Sequence, residues 1–253
     1  MADRIIKIAD DFWNIRGSFK LAGVFDVGTQ TSLVRLKRGD FVLLDSYRLT
    51  GEDEREVLAH TDGGRAVRAI LNLHPFHTAH VQASAQQFPR AALYGTERHK
   101  ARAPSLPWQA LRTDDRALHE QFADDLTFSV PRGVDLVPDS DLLHFASVLA
   151  FHATSGTLHV DDTLSFSNMP LMKGIKFHPT LRFALHKRPG AAAEFRAWSE
   201  ELVQLCGGVQ QLCTAHARAL PPAATPESST SDRVREAISD ISKMLDSHAR
   251  RYA

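Results

Sequence analysis

The chain has 253 residues, of which 43% are hydrophobic and 24% are charged. This length and composition are typical of a globular protein that buries a full hydrophobic core. Thirty Lys and Arg residues balance thirty Asp and Glu residues, so the chain lacks the excess positive charge that favours nucleic acids or anionic membranes. We therefore expect a small-molecule substrate or ligand as the partner, with no nucleic acid and no membrane, and the sequence allows a homodimer.

Three further features predict a cytoplasmic protein. Asp10 and Asp11 interrupt the N-terminal segment where a signal peptide would need an apolar core. No apolar run approaches the roughly 20 residues of a membrane span. The two cysteines, Cys206 and Cys213, are more typical of reduced thiols than of a disulfide scaffold.

The first part of the chain is predicted to be mostly β-structure. The expected elements are strands at 12–17, 32–36, 41–45 and 67–73 and a helix at 51–60. Gly63 and Gly64 end the helix and lead into the last of these strands. Asp45 closes an apolar strand, and we expect it to accept hydrogen bonds from the loop that follows Leu73.

That loop carries three histidines within seven residues, namely His74, His77 and His80. Neutral imidazole is a common ligand of zinc, iron, copper and nickel. The spacing therefore predicts a metal site at the end of a strand. A loop of surface histidines is the alternative, because the whole chain has 13 histidines.

The middle of the chain contains less regular patterns. We predict a helix at 81–87, strands at 91–95, 126–130, 142–152 and 157–164, and a basic loop at Thr96–Lys100 that is more typical of a solvated turn than of a substrate contact. His144 lies at the start of the long strand, and Asp161 and Asp162 close the next one. Adjacent carboxylates in an apolar strand are costly unless they are solvated, hydrogen-bonded or metal-bound. A helix cap or Asx turn is the alternative.

The last third becomes helical. A helix with its apolar face from Ala193 to Leu205 is followed by a strand at 209–213, which brings His216 to the end of a sheet. We predict one domain over 1–220, a Pro/Ser-rich connector at 221–231, and a C-terminal helix over 232–253 that packs on the domain. Ser231 or Asp232 is expected to cap that helix.

In chain order, these features resemble the metallo-β-lactamase superfamily. Phe41–Asp45 is similar to its early LIDTG-type strand, Val160–Leu164 to its TGDTLF-type strand, and Leu212–Ala217 to its late LPGHG-type turn. The resemblance runs from about residue 12 to about residue 220. It implies an α+β fold, a four-layer αββα sandwich, with the site at one edge where loops at strand ends converge.

The resemblance also implies a ligand set. The metal ligands would be His74, His77, His80, His144, Asp162 and His216. The first site would use His77, His144 and His74, and the second would retain Asp162, His80 and His216. Ala79 stands where the family's H-x-H-x-D-H motif has its Asp, so one zinc ion is favoured over two, with iron or manganese as alternatives.

Fold does not fix chemistry, but the resemblance favours a metal-dependent hydrolase of a small ester, thioester, lactone or amide, which uses a metal-bound water. Asp162 would position the metal, and His80 or His216 would transfer protons. The alternative is a non-hydrolytic relative that binds or senses a ligand; iron-based redox chemistry is a weaker third class. Three more histidines are additional candidates, namely His152, His159 and His178. A structural role is expected for His159, and His178 is a candidate for the rim of the site.

Overall fold

The computed structural model describes residues 4–21, 25–168, 173–216 and 219–253. Its strands are β1 (Arg4–Ala9), β2 (Phe12–Gly17), β3 (Lys20–Leu21), β4 (Phe25–Asp26), β5 (Thr29–Arg35), β6 (Phe41–Leu44), β7 (Val67–Leu71), β8 (Ala92–Tyr94), β9 (Leu126–Ser129), β10 (Leu149–His152), β11 (Thr157–Val160), β12 (Leu164–Ser167), β13 (Gly174–Phe177) and β14 (Gln211–Thr214). Its helices are α1 (Gly51–His60), α2 (Val81–Gln87), α3 (Glu97–Arg102), α4 (Arg116–Gln121), α5 (Leu181–Ala184), α6 (Ala191–Cys206) and α7 (Thr230–Arg251).

Two sheets form the body of the protein. The first has the strand order β1-β2-β5-β6-β7-β8, antiparallel as far as β6 and parallel from β6 to β8. The second has the order β14-β11-β10-β9, in which β11 and β14 are parallel. Parallel neighbours end at the same edge of a sheet, so β6 and β7 bring Asp45 and His74 together, and β11 and β14 do the same for Asp162 and His216.

The apolar side chains of the strands alternate between two faces. In β6, Val42 and Leu44 join the cluster between the two sheets, whereas Phe41 and Leu43 join an outer cluster that includes Val57 of α1. A third cluster covers the outer face of the second sheet with α6 and α7. These layers form the four-layer αββα sandwich, which confirms the predicted fold class.

Helix α7 lies against α6, and Val234 and Leu245 are buried in the same cluster as Phe195. The side chain of Ser229 accepts a hydrogen bond from the backbone N–H of Asp232 and caps the helix. The cap predicted at Ser231 or Asp232 is therefore wrong, because both residues already lie in the first turn. Within the described ranges, no helix combines the length and apolarity of a membrane span.

Three predicted elements differ most in the structure, and one of them, the strand predicted at 157–164, is divided into β11 and β12. The predicted strand at 142–152 is a strand only over Leu149–His152; the N–H groups of Ser147 and Val148 instead donate to the Thr163 side chain and the Leu73 carbonyl. Burial of this apolar run therefore does not require a strand ladder. The loop predicted at Thr96–Lys100 begins α3, because Thr96 and His99 form a reciprocal capping box.

Phe195 tests the outer core. It is fully buried between the second sheet and α7, so Phe195→Ala should lower the free energy of unfolding by about 3–5 kcal/mol. Phe183 is 54% exposed, and Phe183→Ala should change it by no more than about 0.5 kcal/mol. Urea unfolding followed by circular dichroism measures the free energy of unfolding of both variants. Equal losses in the two variants would contradict this packing.

Candidate metal centre

Asp45 organises the start of the histidine loop. Its Oδ1 accepts hydrogen bonds from the backbone N–H of Leu73 at 2.8 Å and of His74 at 3.3 Å. The residue is fully buried and has a φ of 63°, a left-handed conformation that Asp and Asn tolerate better than most residues. The predicted role of Asp45 as an acceptor for the histidine loop is confirmed.

His74 links this loop to the second sheet. Its Nε2 lies 2.9 Å from Oδ2 of Asp162, and its Nδ1 accepts a hydrogen bond from the N–H of Phe76 at 3.1 Å. Burial, together with the charge of His77, lowers the pKa of His74, so the ring is neutral. A neutral ring that accepts at Nδ1 carries its proton on Nε2, and His74 therefore donates to Asp162.

His77 lies against His74, with the two rings stacked at 4.2 Å between centroids. Its Nδ1 is 3.5 Å from Oδ2 of Asp161. Burial lowers the pKa of His77, but the charge of Asp161 outweighs this effect and raises it overall. In the metal-free protein His77 thus offers a partial positive charge to a buried carboxylate.

His216 reaches the same carboxylates from the end of β14. Its Nε2 lies 3.0 Å from Oδ1 of Asp162, and its Nδ1 donates to the carbonyl of Gly28 at 2.9 Å. Burial alone would lower the pKa of His216, yet the contact with Asp162 raises it to about 9. Because Gly28 fixes the proton on Nδ1, loss of the second proton leaves the Nε2 lone pair facing Asp162.

Arg16 on β2 holds the end of β14 in position. Its two terminal nitrogens donate to the carbonyls of Thr214 and Ala215, each at 2.7 Å. These carbonyls directly precede His216, so a buried guanidinium from the first sheet fixes the backbone that carries a site residue in the second.

A set of inward-facing polar residues went unrecognised in the sequence. It occupies alternate positions of two paired strands and comprises Asn14, Arg16, Gln30 and Ser32. Gln30 donates to Oδ1 of Asp161 at 3.1 Å and accepts from Arg16 at 3.0 Å. The available signal was the alternation itself, because polar residues at every second position of an otherwise buried strand indicate a polar interior.

A second group of possible ligands consists of Asp45, His159 and Asp161, whose ligand atoms lie within 4.8 Å of one another. His159 already bridges Asp45 at 3.0 Å and the hydroxyl of Ser32 at 2.9 Å. Burial and the charge of Asp161 hold the pKa of Asp45 well above its usual range, which favours the protonated form of its carboxyl. Hydrogen bonds within the protein satisfy Asp45 and His159 of this group, and His159 has a structural role there.

The group formed by His74, His77 and Asp162 is different. Its ligand atoms also lie within 4.8 Å of one another, and His216 contacts Asp162 beside them. Oδ1 of Asp162 and Oδ2 of Asp161 are buried, and within the part of the chain that the structure describes they face the imidazoles of His216 and His77. Buried carboxylate oxygens that face imidazoles suit a divalent cation once the imidazoles give up their protons.

The structure does not bring His80 and His144 into this cluster. His80 begins α2, and its ring packs against Tyr47 at 4.8 Å. His144 donates from Nε2 to the carbonyl of Asp141 at 2.6 Å, and its ring stacks on Phe76 at 4.2 Å. Neither residue belongs to the two groups of candidate ligands, although the centroid of the His144 ring lies 6.4 Å from that of His74. Ala79, beside His80, is exposed to solvent.

An open pocket of about 550 Å³ lies above the cluster. Its polar wall contains His77, Asp162, His144, His178 and His216. Its other wall is formed by Phe19, Lys20, Val27, Phe76 and Leu142. The candidate ligands are thus accessible from one side, and His178 lies in the wall of the pocket.

Asp45 tests the electrostatics of the cluster. A neutral carboxyl is closely mimicked by an amide that tolerates the same backbone conformation, so Asp45→Asn should change the free energy of unfolding by less than about 1 kcal/mol. Asp45→Gly keeps the backbone conformation but leaves the buried N–H groups of Leu73 and His74 without an acceptor, which should cost about 3 kcal/mol or more. Urea unfolding of metal-free protein compares the two, and the reverse order would contradict a neutral Asp45.

No protein-family model matches the sequence, and no curated protein matches it. Solved structures are similar along nearly the whole chain. A metallo-β-lactamase from Pontibacter korlensis is 14% identical, with a TM-score of 0.58 over 96% of this chain and 99% of that one. One from Erythrobacter litoralis, with β-mercaptoethanol in its active site, is 13% identical, with a TM-score of 0.60 over 92% and 96%.

The FIM-1 metallo-β-lactamase from Pseudomonas aeruginosa, in a mono-zinc form, is 11% identical, with a TM-score of 0.56 over 99% of this chain and 95% of that one. At such identities the likeness establishes the arrangement of the backbone and leaves the chemistry to the site residues. The similarity extends across both sheets and the flanking helices. The chain has the metallo-β-lactamase fold.

Proposed function

We propose that this chain is a hydrolase that uses one zinc ion to cleave a small ester, thioester, lactone or amide. The observation that supports the proposal is the convergence of His77, Asp162 and His216 beneath an open pocket of about 550 Å³. Catalytic zinc sites use three protein ligands and leave a further position open. Two imidazoles and a carboxylate at the base of an accessible pocket meet that requirement.

His74 has a different task in this proposal. Its proton lies on Nε2 because the N–H of Phe76 occupies Nδ1, so it donates to Asp162. A carboxylate held in this way presents its other oxygen, Oδ1, toward His216. Hydrogen bonds of this kind orient metal-binding carboxylates and tune their affinity. His77, Asp162 and His216 are therefore the ligands, and His74 positions Asp162.

A zinc ion held there would lower the pKa of a water molecule toward 7, which allows attack on a carbonyl carbon at neutral pH. His178 lines the pocket and accepts a hydrogen bond from the N–H of Thr180 at Nδ1. Burial lowers the pKa of His178, so its neutral ring keeps a proton on Nε2 to donate to the substrate. Phe76 and Leu142 offer apolar surface to the acyl part of the substrate.

A second function is favoured by one observation. His74 and Asp162 are already hydrogen-bonded to each other, and His77 and His216 contact the two carboxylates as cations do. A cluster that is held together without an ion suits a protein that binds or senses a small molecule. Metal uptake alone does not separate the two functions, whereas turnover by zinc-loaded protein does.

The ligand assignment predicts how variants bind zinc. Chelator-treated protein should take up one zinc ion per chain in a competition titration with a chromophoric chelator. His77→Ala, Asp162→Ala and His216→Ala should each abolish this uptake. His74→Gln keeps a donor for Asp162 and should bind within about tenfold of the natural protein, whereas His74→Ala should weaken binding by about 10- to 100-fold.

His60→Ala provides the control, because the His60 side chain lies on α1, is 39% exposed and belongs to neither group of candidate ligands. Unchanged uptake in His77→Ala or His216→Ala would refute the assignment. Complete loss of uptake in His74→Gln would instead make His74 a direct ligand.

Activity is tested with one simple chromogenic substrate of each class. Zinc-loaded protein should hydrolyse at least one of an aryl ester, a thioester, a lactone and an anilide, and His216→Ala should reduce the rate by at least about 100-fold. The His60→Ala variant should retain full activity. Zinc binding without turnover of any of the four substrates would favour the binding or sensing protein.

A further inference from the structure

A second cavity lies outside the candidate metal centre, where α7 faces α5 and the segment 140–143. Its volume is about 790 Å³, within the range of small-molecule sites. We call it the α7 groove and define it by Arg182, Phe183, Lys187, His248, Arg251 and Tyr252. Leu142 lines both this groove and the pocket above the candidate metal centre.

The α7 groove is positively charged. Arg182, Lys187 and Arg251 line it, and no Asp or Glu does so. None of these three cations forms an ion pair within the described ranges, whereas Arg188 and Arg196 elsewhere on this half of the protein pair with carboxylates. In a chain of zero net charge, a cavity that gathers three uncompensated cations attracts an anion.

The same groove exposes apolar surface. Leu142 is 81% exposed and Phe183 is 54% exposed, and they are two of the most exposed large apolar side chains that the structure describes. The guanidinium of Arg182 lies 4.4 Å from the centroid of Phe183, and that of Arg251 lies 5.6 Å from the centroid of Tyr252. Positive charge and apolar surface therefore alternate along the groove, which suits a ligand with both characters.

His248 adds an unused polar group to the wall. The residue is buried, and within the described chain neither of its ring nitrogens has a hydrogen-bond partner. Tyr252 packs against it with the ring centroids 4.6 Å apart. Burial and the charge of Arg251 lower the pKa of His248, so the ring is neutral. A ligand that shifts the Tyr252 ring would give this imidazole a partner.

We propose that the α7 groove binds a small organic anion with a phosphate or carboxylate head and an apolar body. The head contacts Arg182, Lys187 and Arg251, and the body lies on Phe183 and Leu142. Both parts contribute, because exposed cations alone bind anions weakly in water. This site shares Leu142 with the pocket above the candidate metal centre, but its other residues lie outside that pocket and it requires no metal.

Isothermal titration calorimetry of the full chain at low ionic strength tests the proposal. The probes are phenyl phosphate, octanoate and inorganic phosphate. Phenyl phosphate or octanoate should bind at least about tenfold more tightly than inorganic phosphate, since burial of the apolar body adds to the charge. Whichever of these two probes binds more tightly shows whether the groove prefers a phosphate or a carboxylate head. If neither phenyl phosphate nor octanoate binds more tightly than inorganic phosphate, the proposal is overturned.

Paired variants locate the site. Arg182→Gln combined with Arg251→Gln should weaken the tighter probe by at least about tenfold. Arg55→Gln combined with Arg90→Gln makes the same change in net charge at exposed positions on the other side of the protein, and it should leave binding unchanged. If both pairs of substitutions weaken probe binding equally, the effect comes from long-range charge alone and the proposal is overturned.

His77→Ala separates the groove from the candidate metal centre. Probe binding should survive this substitution and should not depend on added zinc. Binding that is lost in His77→Ala but kept in the Arg182 and Arg251 pair would put the ligand at the metal centre and overturn the proposal, whatever the outcome for the hydrolase.

Discussion

Three carboxyl groups are buried at one end of the sandwich, and the architecture of the site follows from how each is accommodated. Asp45, Asp161 and Asp162 are 1%, 1% and 4% exposed. An isolated charge at such a position would be prohibitively costly. Burial and Asp161 raise the pKa of Asp45, which accepts two backbone N–H groups, whereas His77 lowers the pKa of Asp161 and His74 and His216 lower that of Asp162.

The contacts of these carboxyl groups and of the nearby backbone determine which ring nitrogen of each histidine carries a proton. His74 accepts at Nδ1 and donates toward Asp162, whereas His216 donates from Nδ1 to Gly28 and turns Nε2 toward the same carboxylate. Neighbouring histidines in one cluster thus have opposite roles: His74 orients a carboxylate, and His216 can offer a lone pair once its Nε2 proton is lost. Arg16 of the first sheet fixes the backbone that precedes His216 at the end of the second sheet, and so links the two sheets at the site.

Much of the fold could be predicted from local sequence. Helices α1 and α2 and strand β2 have the predicted bounds, because their apolar periods and turn residues agree with their tertiary environment. The buried run before Leu149 was misread as a strand, since an apolar run does not reveal whether a neighbouring strand pairs with it. Helix α3 was missed because its cap uses His99 in place of the usual acidic or amide residue.

The site was predicted less completely than the fold. Asp45, His74, His77, Asp162 and His216 meet because parallel strands end at one edge, which the order of the motifs already implied. His80 and His144 depend on the path of their loops, and a path set by packing on Tyr47 and Phe76 is not encoded in spacing.

The polar face of β2 and β5 was also missed. Hydrogen bonds from Arg16 to β14 join residues about two hundred positions apart, and no local pattern predicts such a contact.

If the ligands are assigned correctly, one divalent ion binds between His77, Asp162 and His216. Anomalous diffraction at the zinc edge, from crystals soaked in zinc, measures this directly. We expect a single strong peak in contact with those three side chains, with His74 still donating to Asp162. A peak between Asp45, His159 and Asp161, or no peak at saturating zinc, would contradict it.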